Sequence, residues 1–147
     1  MESSRNANSS HLPVLRALAE CQTQIERAGA RHIESMGLTP SQFDVLAVLG
    51  DMPEMTCKEL CRQTLISRGT LTPVLDRLEA KGLVKRTPGD KDCRQTLVSL
   101  TPEGQEAYQR TFMPYVDFMR PYFDRLDDDE QKKLIALLRK LKGAFPA

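Results

Sequence analysis

The residues best suited to do chemistry lie in one short stretch, Ser67-Arg68-Gly69-Thr70-Leu71-Thr72. Three hydroxyls and an arginine stand at the start of a segment whose Leu71, Val74, Leu75 and Leu78 recur at helical spacing. In a helix-turn-helix protein the second helix enters the major groove by its N-terminal end, so small polar and basic side chains are needed there. Arg68 can fork onto guanine O6 and N7, and the hydroxyls of Ser67, Thr70 and Thr72 suit bases or phosphates. Taken singly, Ser67 reads as a helix cap and Thr70 as a solvent-facing residue. It is the clustering, followed by the basic residues Arg77, Lys85, Arg86, Lys91 and Arg94, that points to duplex DNA.

Four cysteines offer the other chemistry. Cys21 falls on an apolar stripe with Leu18 and Ile25 and is expected as a buried small hydrophobe, with a redox sensor as the second reading. Cys57 and Cys61 are four apart and share a helix face, but no second pair or neighbouring histidine completes a metal site, so neither metal nor cofactor is expected. Cys93 stands between Asp92 and Arg94, close to Lys91, where positive charge favours the thiolate, which makes it the candidate reactive thiol. His11 and His32 are isolated. The chain has no glycine-rich phosphate loop, no nucleophile elbow and no carboxylate pair placed for acid-base work, so it is not read as an enzyme.

The elements that must position these residues follow from periodicity and caps. Leu12 to Met36 is a long amphipathic helix ended by Gly37, and Thr39-Pro40-Ser41-Gln42 opens a second that runs to about Gly50. Thr56-Cys57-Lys58-Glu59 caps a short helix, with Gln63 to Ile66 as connection. Ser67 caps the next, which stops at Lys81-Gly82. Pro73 leaves two readings of that helix open: it begins at Ser67 and bends, or its regular part begins near Thr72-Pro73. Alternation in residues 83–87 and 96–100 gives two strands around a charged turn, hence a hairpin. Thr101-Pro102-Glu103 caps a further helix, expected to kink or break at Pro114 and Pro121. Asp127 to Glu130 caps a last one bearing Leu134, Leu137, Leu138 and Leu141.

Bulk properties agree with a globular DNA-binding chain. The 147 residues are 40% hydrophobic and 28% charged with a formal net charge of +1. Residues 56–100 hold 9 basic against 5 acidic side chains, while residues 1–55 hold 4 against 7. No window approaches the run of about 18 apolar residues that a membrane span requires, and the Asn/Ser-rich residues 1–10 read as a disordered tail. Reduced thiols and a cytoplasmic location are the expectation.

The run from Ser67 to Arg86, with Asp92-Cys93-Arg94-Gln95-Thr96-Leu97-Val98-Ser99-Leu100-Thr101-Pro102-Glu103-Gly104, resembles the MarR family of bacterial regulators. The likeness reaches Leu38 to Phe43 and Thr56 to Leu60, and covers roughly residues 12–143. It implies a mainly α fold with a small β-hairpin wing, a winged helix-turn-helix in residues 39–100 and dimerisation helices in 12–36 and 102–143, all within one domain over 11–147. It implies a homodimer on a pseudo-palindromic double-stranded operator, released by a small-molecule effector in a cleft between the two parts. Arg94 matches the wing arginine that enters the minor groove, and Asp92 the acidic residue that shapes the wing. Cys21, Ile25, His32 and Phe43 are the expected effector-binding residues, and a small apolar or phenolic ligand is the expected signal. The alternative is a thiol-based sensor acting through Cys93 or Cys21, and more distant ones are a protein-interaction module or a thiol enzyme. Gly69-Thr70-Leu71-Thr72-Pro73 is similar to the peroxide-sensing OhrR branch, but Leu15 stands where that branch has its cysteine.

Overall fold

The computed structural model describes residues 11–88 and 96–146. In chain order it has α1 (Leu12–Ser35), α2 (Pro40–Leu49), β1 (Met55–Thr56), α3 (Cys57–Thr64), α4 (Arg68–Ala80), β2 (Val84–Thr87), β3 (Leu97–Leu100), α5 (Pro102–Phe123) and α6 (Asp128–Gly143). Two compact units divide it, residues 1–115 and 116–147, with the boundary inside α5. No helix of the described residues is long and apolar enough to cross a membrane.

Local chemistry sets the helix starts. Thr39 and Thr56 each accept from the backbone N–H three residues on at 3.2 Å, while Gln42 and Glu59 reach back to the cap N–H. Two of the orphan backbone donors at each helix start are satisfied in this way, and Pro40 at the first position of α2 has no N–H to satisfy. Asp127 and Glu130 repeat the device ahead of α6. At the far end of α4, Gly82 takes φ +75°, a conformation that L side chains avoid. Its N–H donates to Glu79 O at 2.9 Å and that of Leu83 to Leu78 O at 2.9 Å, the paired bonds that end a helix and turn the chain into β2.

The core of the first unit is built by α2, α3 and α4 over the sheet. Val45, Leu46, Leu49, Leu60, Leu71, Leu75, Leu78 and Val98 are essentially inaccessible to solvent. The sheet has three strands in the order β1-β3-β2, all antiparallel, with Met55 opposite Val98 and Val84 opposite Leu100. The third strand, β1, was not expected: two residues long, it finds its partner some forty positions away.

One open alternative is resolved and two expectations change. The helix α4 begins at the Ser67 cap and continues through Pro73, so the first of the two readings holds for its start. The helix α5 likewise runs unbroken through Pro114 and Pro121. A proline removes the bond to the carbonyl four residues back. Here those carbonyls belong to Gly69, Arg110 and Asp117, all exposed residues whose oxygens water can satisfy. Cys21 is exposed rather than buried, because no other element covers that part of α1 in the single chain.

Candidate nucleic-acid interface

The residues Leu65, Ile66 and Ser67 join α3 to α4, and this turn carries the candidate site. Ser67 Oγ accepts from Thr70 N–H at 3.3 Å and donates to Thr70 Oγ1 at 3.0 Å. The cap and the second hydroxyl are thus one unit that fixes the first turn. Thr72 Oγ1 donates to Arg68 O at 3.4 Å. Arg68, Gly69, Thr70, Thr72 and Arg77 are all exposed, while Leu71, Leu75 and Leu78 hold the opposite face in the core. At 100° per residue, Thr70 and Arg77 lie along one flank of α4 and Arg68, Thr72 and Glu79 along the other. The exposed end therefore offers hydroxyls, one arginine and the first-turn backbone N–H groups of Arg68 and Gly69, an arrangement suited to polyanions.

Other sequence-expected contacts take different places. Lys85 is exposed on β2, opposite Ser99. Arg86 turns back onto α4, donating through Nε to Glu79 Oε2 and through Nη2 to Asp76 Oδ1, both at 2.6 Å. Its charge is matched by two carboxylates, whose hydrogen bonds favour the charged form. Lys91, Asp92, Cys93 and Arg94 lie outside the described residues. Two basic residues that the sequence reading passed over, Lys58 and Arg62, are exposed four apart on α3. Their i, i+4 spacing was the available signal. Lys81 is tied elsewhere, to Gly37 O at 3.3 Å and to Gln42 Oε1 at 3.2 Å.

The expected effector residues are only partly brought together. His32 and Phe43 join one ring cluster with Tyr115, at centroid distances of 6.5 and 4.7 Å, and Phe43 also stacks with Phe112 at 6.5 Å. Tyr115 lies against Gly29, whose missing Cβ leaves room for the ring at 3.2 Å. Ile25 is half-buried on α1, and Cys21 stands about 16 Å along the helix from His32 at 1.5 Å per residue. Tyr115 and Phe112 were missed, since single aromatics on a distant helix carry no local signal. Burial, and then Glu26, push the Asp44 carboxyl up from its ordinary value. Burial and then Asp44 push the Tyr115 phenol up.

Burial raises the Cys57 thiol, Cys61 adds to the rise, and Arg86 and Arg68 oppose it. A thiol held protonated is a poor nucleophile. No group of three residues able to hold a metal ion occurs among the described residues.

Comparison with known proteins agrees with this arrangement. Residues 36–95 match the MarR family model. A regulator of the helix-turn-helix type from Bacillus cereus is 31% identical over 110 residues, which is 74% of this chain and 73% of that one. A mutant MarR from E. coli complexed with operator DNA superposes with a TM-score of 0.76 at 30% identity, covering 88% of this chain and 94% of that one. NadR in complex with 4-hydroxyphenylacetate superposes with a TM-score of 0.78 at 23% identity, covering 94% and 98%. With capped α3 and α4 exposing a basic, hydroxyl-rich end beside a three-stranded sheet, the chain belongs to the MarR family of winged helix-turn-helix transcriptional regulators.

Proposed function

We propose that the protein is a homodimeric, cytoplasmic repressor that binds a pseudo-palindromic operator through the N-terminal end of α4 and leaves it when a small apolar or phenolic ligand binds. The observation that carries this reading is the exposed Ser67-Arg68-Gly69-Thr70 end of α4 on a helix whose other face is locked in the core. In this reading Arg68 contacts guanine, Thr70 and Thr72 contact bases or phosphates, and Lys85 contacts the backbone. Arg94 is assigned to the minor groove beside A·T-rich flanks, where negative potential is strongest.

Dimerisation is supported by apolar surface that the single chain leaves open. In α1, Val14 and Leu15 are exposed, and in α6 none of the sixteen residues is buried. A second copy covering such faces would set two α4 helices on one side of the duplex, about one helical turn apart.

For the signal, the ring cluster of His32, Phe43, Phe112 and Tyr115 is the region we assign to an apolar or phenolic ligand, in line with the phenolic acid held by NadR. Such a ligand releases DNA only by binding the non-operator conformation more tightly. A gel-shift assay with the protein's own upstream region tests the reading. A retarded complex that is lost in Arg68→Ala and on adding a phenolic acid supports it, and no complex at physiological salt defeats it. Substituting all four cysteines by serine separates ligand from oxidation, since a thiol sensor would lose its response to peroxide.

A further inference from the structure

Leu65 departs from two rules at once. It has φ +61° and ψ +14°, the left-handed region that glycine and asparagine occupy without strain, and among the described residues it is the sole non-glycine with positive φ. It is also 90% exposed, more than any other large apolar residue described. Nothing in the turn needs a leucine there. Thr64 Oγ1 donates to Leu60 O at 2.6 Å and accepts from Ile66 N–H at 3.3 Å, which shapes the turn, and Ile66 is the residue that packs against the core.

Strain combined with exposed apolar surface costs folding free energy, and such outliers concentrate where a chain meets its ligand. Leu65 sits two residues before the Ser67 cap and three before Arg68, an exposed apolar side chain in a stretch whose other exposed residues, Arg62, Gln63, Ser67, Arg68, Gly69 and Thr70, are polar or glycine. Among groove edges the apolar feature is the thymine C5-methyl group. We propose that Leu65 contacts DNA, its side chain lying against a thymine methyl beside the guanine assigned to Arg68. The inference rests on the orientation of α4 given above.

The test uses a duplex enriched by the full-length protein from a random pool, and the same duplex with thymines next to the contacted guanine replaced by uracil. Leu65→Asn relieves the backbone and removes the apolar reach, so it is expected to melt no lower than the parent. It should bind the thymine duplex about fourfold more weakly per half-site, the worth of one methyl group removed from water. Its affinity should be insensitive to uracil, whereas the parent and Leu65→Met lose affinity on the uracil duplex. Leu65→Asn binding as tightly as the parent, or losing as much on uracil, overturns the proposal. Arg68→Ala is the control. If it loses affinity while Leu65→Asn does not, only the leucine contact is wrong, and if neither variant loses affinity, the orientation of α4 is wrong.

Discussion

Arg86 on β2 is bound to Asp76 on α4, Nη2 to Oδ1 at 2.6 Å, with Glu79 accepting a hydrogen bond from Nε–H about one turn further along. A strand that leads into the wing is thereby fastened to the helix proposed to enter the groove. The guanidinium is about a quarter exposed and both carboxylates are more open, so the energy is that of a partly screened network, on the order of 1 kcal/mol. Its main consequence is orientation.

Arg86→Ala and the pair Asp76→Asn with Glu79→Gln should therefore behave alike. Each is expected to lower operator affinity by loosening the wing, with the slope of log K against log salt unchanged. If Arg86 instead holds a phosphate, Arg86→Ala flattens that slope by about one unit per half-site, and neutralising the carboxylates strengthens binding. Titration at four salt concentrations decides between brace and contact.

Gly104 marks a close approach between α5 and the chain leaving α4. A Cβ built there would lie 1.9 Å from Leu83 O, a backbone atom that cannot swing aside, and Thr101 Oγ1 anchors the same corner by accepting from Gly104 N–H at 3.0 Å and donating to Gly82 O at 2.6 Å. Gly104→Ala must displace one segment, and we expect a loss of roughly 3 kcal/mol or more in denaturant unfolding. Gly69→Ala is the contrast. Nothing lies within 4 Å of its added Cβ, so stability should hold or rise slightly.

These features divide by how far the determining contact lies along the chain. The starts of α2, α3 and α6 were legible because Thr39 with Gln42, Thr56 with Glu59 and Asp127 with Glu130 settle them within three residues. The exposed end of α4 was legible for the same reason. Pairing of Met55 with Val98 was not, because a two-residue strand has no period of its own. The pairing of Arg86 with Asp76 and Glu79 was not legible either, because its two carboxylate partners lie on another element. The burial expected of Cys21 came from an apolar stripe that is real in α1, but no element of the single chain covers it there.

Asp44 provides a pH test. Burial first, then Glu26, raises its folded-state pKa above the unfolded value. The folded protein thus holds the proton more tightly, and stability falls as pH rises through the interval between the two values. The penalty is complete above the folded value and absent below the unfolded one. Asp44→Asn should accordingly unfold at higher denaturant than the parent at pH 7, with the gap closing on acidification through the carboxylate range. A gap that stays constant or widens towards low pH contradicts the assignment.

Leu137 and Leu141 test the dimer. They are one turn apart on α6, with exposures of 55% and 39%, and Leu134 and Leu138 continue the same apolar stripe. A helix of sixteen residues that fully buries none of them gains little packing energy to offset its conformational entropy, and a partner surface over the leucine stripe would supply it. Leu137→Glu with Leu141→Glu places two charges on that stripe. The variant is expected to sediment as a monomer at micromolar concentration while the parent sediments as a dimer. It should also bind the full operator hardly better than a half-site, because the second lobe no longer arrives with the first. A variant that sediments with the parent places the interface elsewhere, and a parent that is itself monomeric removes the two-lobed mode of operator binding.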